Sequence, residues 1–245
     1  MSRFTFWFAL VVGAAFARGA DVSLASARRA QALLGPGVWS QVIRVENEAR
    51  ASRYPHELHA LVFELAGILW FYTDADGTQS LSLQRGRLAE DKADFAPLLR
   101  SIEPGFRRWS VAPEGEATPG GLPNGCFIES VAALRLRLAR GEPATEARLL
   151  SYYFETPAGR RGHTVLSYRT DRGREVIDPE RSARPRLFSA EEADDALHLA
   201  QALEFQTVAK ARWVPVELPA AHAGIFAGGG GAGLDEFAGA LAWAL

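Results

Sequence analysis

Two periodicities in the sequence predict an α+β fold. Short β-branched and aromatic runs, parted by Gly, Asp and Pro turn signals, gather in two blocks over about residues 39–83 and 149–177. Segments with apolar residues at three- and four-residue spacing flank and separate those blocks. The chain has 245 residues, 48% hydrophobic and 23% charged, which are values of a globular protein with one or at most two packed domains. Its 27 Lys and Arg against 29 Asp and Glu lack the basic excess of a nucleic-acid binder. A single cysteine, Cys126, excludes an intramolecular disulfide, a Cys-rich metal site and a CxxC redox pair.

Residues 1–20 read as a secretory signal. Arg3 precedes an uncharged run from Phe4 to Ala17, followed by small residues suited to cleavage near Ala17 or Ala20. That run is 14 residues long, too short to span about 30 Å of hydrocarbon at 1.5 Å per residue. Cleavage after Ala20 would leave no membrane-inserted segment and place the mature chain in the periplasm or outside the cell; an uncleaved anchor is the alternative. Loss of Arg3 and Arg18 then leaves 25 basic against 29 acidic residues.

Asp21 to Leu34 has helical spacing and is stopped by Gly35-Pro36-Gly37. Trp39–Val45, Leu58–Leu65, Ile68–Thr73 and Thr78–Leu83 follow as an antiparallel meander, with Asp74-Ala75-Asp76-Gly77 as its plainest turn. Leu88 to Ile102 is helical, with Pro97 predicting a kink or a late start. These elements make residues 21–112 a β-rich extension with flanking helices. The second region, 113–218, opens with a Gly- and Pro-rich surface loop that runs into a helix from Cys126 to Arg140, closed by Gly141 and Pro143. Leu149–Thr156, His163–Arg169 and Arg174–Ile177 read as strands, Ser189–Glu204 as one helix opened by a Ser189/Glu192 capping box, and Trp213–Leu218 as a last strand. Residues 219–245 form a Gly- and Ala-rich tail.

Cys126, His163 and Asp178 combine as thiol chemistry requires. An ordinary thiol with pKa near 8.5 is only about 3% thiolate at pH 7. A helix amino terminus and an adjacent imidazolium are the two features that activate it, and Cys126 opens a helix. Asp178 would orient His163 through the second ring nitrogen. If Arg169 pairs with Arg174 across Thr170-Asp171-Arg172-Gly173, Asp178 falls beside Val165, on the same face as His163. A three-residue loop would put the two side chains on opposite faces. A donor besides the Cys126 N–H is needed for an oxyanion. Asn124 is a candidate, with a helix N-cap as its alternative role, and Gln79, in the Asp76–Gln79 turn, is another.

Around these residues, Asn124-Gly125-Cys126, Ala133, Gly141-Glu142-Pro143-Ala144, Gly162-His163-Thr164-Val165-Leu166 and Val176-Ile177-Asp178-Pro179 resemble the core of the transglutaminase-like superfamily, including its bacterial cysteine-proteinase branch. The resemblance covers about residues 120–182. It implies a papain-like core with the Cys-bearing helix packed on an antiparallel sheet. It also implies acyl transfer from amide bonds through a thioester, with Cys126 as nucleophile, His163 as general base and acid and Asp178 as orienting group. The implied partner is a protein or peptide substrate, hydrolysed or transamidated. No cofactor is expected, and no metal is assigned. The alternative from another class is an exported binding or scaffold protein that keeps the fold without catalysis. An acyltransferase acting on small molecules has a similar triad, but export away from cytosolic acyl-coenzyme A disfavours it. Oligomeric state is not legible.

Elsewhere, His56, His59, His198 and His222 have no partners at metal-ligand spacing. Trp70, Phe71 and Tyr72 read as sheet core, and Arg135, Arg137 and Arg140 as the solvated side of the Cys126 helix.

Overall fold

The computed structural model describes residues 23–81, 96–115, 117, 121–142, 144–157, 159–204, 206–216 and 218. The expected signal at 1–20, the tail at 219–245 and the first part of the helix expected from Leu88 lie outside them. Among the described residues, helices and two five-stranded antiparallel sheets make an α+β architecture in two compact units. One unit holds the residues up to Ala32 together with Trp39–Thr118, and the other holds Leu33–Val38 and the residues from Pro119 onward.

The first unit carries helix α1 (residues 23–32 of a helix that runs to 34), strands β1 (Ser40–Asn47), β2 (Glu57–Leu65), β3 (Ile68–Thr73), β4 (Gly77–Leu81), helix α2 (Ala96–Ile102) and strand β5 (Phe106–Val111). The sheet order is β4-β3-β2-β1-β5. The meander is as the sequence predicts, and β2 and β3 are nearly continuous apolar runs because both of their faces are buried. Trp70, Phe71 and Tyr72 are core residues, each worth roughly 1.5–3 kcal/mol of burial. Leu98, Leu99 and Ile102 of α2 pack on Val45, Leu58, Ala60, Val62 and Phe71. On the alternate residues of β2, the His59 N–H donates to Ser23 Oγ at 3.1 Å and fastens α1 to the sheet.

β5 is a strand the sequence reading lacks. It pairs antiparallel with β1, yet as an edge strand it buries Phe106 and leaves Arg107, Arg108, Ser110 and Val111 exposed, so its sequence has no apolar alternation. Gln79 also moves: it lies within β4, paired with Phe71, and not in the turn before it.

The second unit carries α3 (Cys126–Ala139), β6 (Thr145–Thr156), β7 (Gly159–Thr170), β8 (Gly173–Asp178), β9 (Ser182–Phe188), α4 (Ala190–Asp194), α5 (Ala196–Leu203) and β10 (Val208–Pro215), with sheet order β10-β6-β7-β8-β9. β9 is absent from the sequence reading because Pro185 and four exposed residues from Arg184 to Leu187 hide an edge strand. The last strand begins at Val208 and ends at Pro215, earlier than expected at both ends.

The helix expected over Ser189–Glu204 is two. Ser189 and Glu192 do form the capping box, but Asp195 has ψ 120, breaks the run and caps α5 by accepting from the His198 N–H. Leu199, Ala200 and Leu203 of α5 then pack with Leu150, Tyr152, Val165 and Val176 on one face of the sheet. No helix among the described residues is long and apolar enough to cross a membrane.

α3 packs against β6, β7 and β8. At its end Gly141 adopts φ 67 and donates to Leu138 O, while Glu142 N–H reaches Arg137 O, a Schellman closure that a residue with a Cβ would strain. Two of its three arginines are not on a solvated face. Arg135 is 8% exposed, with Nη1 donating to Leu33 O at 2.6 Å, and burial lowers its pKa. Arg137 lies 4.2 Å from the Tyr168 ring centroid and pairs with Glu142, so its charge is spent on packing and only Arg140 stays exposed.

Candidate active site

Cys126 occupies the first position of α3, and the turn before it is tightly specified. Pro123 and Asn124 fill the centre of a β-turn closed by Gly125 N–H to Leu122 O at 2.9 Å. Asn124 takes φ 52, the left-handed geometry that Asn tolerates at the third position of a turn. Gly125 follows because a Cβ there would meet the Leu122 side chain at 2.5 Å. Gly125, and not Asn124, is the N-cap, and no side chain caps the helix. Buried Glu129 reaches back to accept from Leu122 N–H, which holds the turn against the first helical turn. The consequence is a partly exposed Cys126 on a fixed helix start.

His163 stands on β7 with its side chain 3% exposed. The β7–β8 hairpin pairs Thr170 with Gly173, Arg169 with Arg174 and Leu166 with Ile177, which is the register that aligns Asp178 beside Val165. The His163 Nε2–H donates to Asp178 Oδ2 at 2.8 Å, and the Cys126 side chain is close enough to the ring to help raise its pKa. Cys126, His163 and Asp178 are therefore brought together. Ser130, four residues after Cys126, donates its hydroxyl to Thr164 O at 3.1 Å and so ties the helix that carries the thiol to the residue after His163.

Asp178 also builds the turn into β9. Its Oδ1 accepts from the N–H groups of Glu180 and Arg181, both at 3.2 Å. This folds Pro179-Glu180-Arg181 back over the site. Glu180 Oε2 comes to 3.3 Å from His163 Nδ1, and Arg181 reaches Glu204, which in turn accepts from the Tyr152 hydroxyl at 2.8 Å. The Tyr152 ring meets the His163 ring edge-on at 5.6 Å, on the neighbouring strand.

Burial opposes a charged His163, but hydrogen bonds to Asp178, Cys126 and Glu180 outweigh it and push the ring up to about 11. His163 in turn holds the Glu180 carboxyl below its usual range. Burial and the Glu204 hydrogen bond push the Tyr152 phenol upward, so it remains a neutral donor. The arrangement holds an imidazolium beside a thiol, with Asp178 fixing the ring and Glu180 on its other nitrogen.

Glu180 and the Arg181–Glu204–Tyr152 chain are absent from the sequence reading. The signal for Glu180 was the Asp178-Pro179 turn, since an Asp that accepts from residues two and three ahead curls the chain back on itself. Of the two oxyanion candidates, Asn124 lies exposed two residues before Cys126, and Gln79 belongs to the other unit. No group of three or more His, Cys, Asp or Glu side chains among the described residues is arranged to hold a metal ion. Comparison with family models, with curated proteins and with solved structures yields no match for this chain.

Proposed function

We propose that the chain is an exported thiol-dependent acyl-transfer enzyme acting on amide bonds of a protein or peptide substrate. One observation carries this reading: a partly exposed cysteine at the start of a helix stands beside a buried histidine whose Nε2–H is held by an aspartate at 2.8 Å. The resemblance of residues 120–182 to the transglutaminase-like superfamily supports the same reading, with α3 in the place of the Cys-bearing helix.

With Nε2 held by Asp178, Nδ1 is the nitrogen that serves the thiol. The Cys126 thiolate attacks the amide carbonyl carbon, and the carbonyl electron pair moves to oxygen. The Cys126 backbone N–H, at a helix start, donates to that oxyanion. Collapse of the intermediate breaks the C–N bond as His163 Nδ1 gives its proton to the departing amine, leaving a thioester. Water then gives a proton to Nδ1 and attacks the thioester carbonyl, and the C–S bond breaks to restore thiolate and imidazolium. A second amine in place of water gives transamidation; hydrolysis is favoured because no dedicated amine site is legible.

The single thiol makes the test clean. Alkylation of Cys126 in the folded mature chain is expected to stay fast well below pH 8.5, and to fall to the rate of an ordinary thiol in His163→Ala. Cleavage of a peptide mixture is expected to disappear in Cys126→Ala. Labelling only after unfolding would overturn the reading in favour of a non-catalytic scaffold.

A further inference from the structure

The Nδ1 nitrogen of His163 is where the thiol and the leaving amine must exchange a proton, and a carboxylate already stands there. Glu180 Oε2 lies 3.3 Å from Nδ1, and its side chain is 46% exposed on a three-residue turn between Asp178 and Ser182, which pair across β8 and β9. Asp178 is different: its side chain is 16% exposed, held by two backbone N–H groups, and fixed on Nε2. One carboxylate is built in and the other is free to leave.

We propose that Glu180 is a positioning residue for the Cys126–His163 pair: in the resting protein its carboxylate accepts the Nδ1 proton of His163. An incoming acyl donor displaces it, so that the same proton passes to the leaving nitrogen. This deepens the thiol acyl-transfer reading and rests on it. No bond other than the hydrogen bond changes when Glu180 swings out, and the proton stays on Nδ1 until the C–N bond breaks. The displaced side chain has solvent to enter, which a buried carboxylate would lack.

The charge balance around the ring gives the direction of the effect. Asp178 faces the ring from β8, Cys126 from α3, Glu180 from the turn, and the neutral Tyr152 from β6. Arg181 is near Asp178 but is drawn to Glu204, and Arg161 on β7 acts on Glu180. Glu180 is thus a second negative charge on the imidazole that serves the thiol. It favours the imidazolium while occupying the nitrogen at which a thiolate would be paired, so removing it frees that nitrogen for the thiolate.

The experiment is the rate of Cys126 alkylation by iodoacetamide from pH 3 to 10 in the full mature chain, its Glu180→Gln and Glu180→Ala variants, and His163→Ala. Both Glu180 variants are expected to move the acidic limb of the profile down by about one unit, which is about tenfold faster labelling at a pH on that limb. Iodoacetate, itself an anion, is expected to gain more than iodoacetamide. A limb that stays in place or moves upward overturns the proposal. A Glu180 that merely staples the turn would lower the thermal unfolding midpoint without moving the limb, and that result also overturns it. If the parent chain and His163→Ala share the limb of an ordinary thiol, the failure is that of the acyl-transfer reading. If the parent limb is low and dependent on His163 but indifferent to Glu180, only the present proposal fails.

Discussion

Both sheets bury a histidine on a strand, and the two are used differently. His59 on β2 is 7% exposed and His163 on β7 is 4% exposed, so burial does not separate them. His59 lies among apolar strand residues, with the Ser23 hydroxyl 3.3 Å from Nδ1. His163 has a carboxylate on each ring nitrogen and the Cys126 thiol nearby. Around His163 the charge is held by the anionic partners that the neighbouring strand and turn deliver, because burial alone disfavours it.

The largest expected effect that sharpens this comparison comes from Asp178→Asn. It removes the charge on Nε2, and the amide NH₂ offers a donor where an acceptor is needed. Peptide cleavage is expected to drop by about two to four orders of magnitude, in line with losses seen when an orienting Asp is neutralised. His59→Gln should leave the alkylation profile of Cys126 unchanged, and a profile that moved would break the distinction between the two histidines.

The second is a pH dependence of stability. The folded-state pKa of His163, about 11, lies above its ordinary value of 6.5, so the folded chain binds this proton more tightly than the unfolded chain. The stabilisation is complete below about pH 6.5 and is lost as pH rises toward 11. Glu180 contributes in the opposite sense, with stability present above its ordinary value of 4.5 and lost as pH falls through its depressed folded value. Urea midpoints from pH 6.5 to 10 are expected to decline, with a flatter decline in His163→Gln. Equal slopes in the two proteins would remove the charged histidine from the account.

The smallest is mechanical. Ser130→Ala deletes the hydroxyl bond that joins α3 to β7 and leaves Thr164 O without that donor. A loss of about 1 kcal/mol is expected in urea unfolding, since a buried neutral hydrogen bond contributes about that much. A modest fall in Cys126 labelling should accompany it, because the thiol and the imidazole sit on the two elements this bond ties together.

Legibility followed locality. The helix that begins at Cys126, its closure at Gly141, the Ser189 capping box and a chain reversal within Thr170–Gly173 each depend on residues within a few positions of one another, and the structure has all of them. Side-chain alternation converts loop length into facing, which is why the meeting of His163 and Asp178 could be derived only on the condition that Arg169 pairs with Arg174. Edge strands β5 and β9 were hidden because half of a strand's pattern comes from the face it buries, and these bury little. Arg135 was misread as solvated because its partner, Leu33 O, is a hundred residues away in sequence.

The sequence by itself determined the α+β class and the position of the only thiol at a helix start, and it tied the strand face of Asp178 relative to His163 to the length of one loop, because periodicity and turn chemistry are local properties of a chain. Only the tertiary structure decided that the ring of His163 lies near Cys126, and that Glu180 folds back onto Nδ1. It also decided that Tyr152 and Glu204 close the far side of the network. Those contacts join α3, β6, β7, the β8–β9 turn and α5's end, and no local rule fixes distances between elements whose separation is set by how their apolar faces pack.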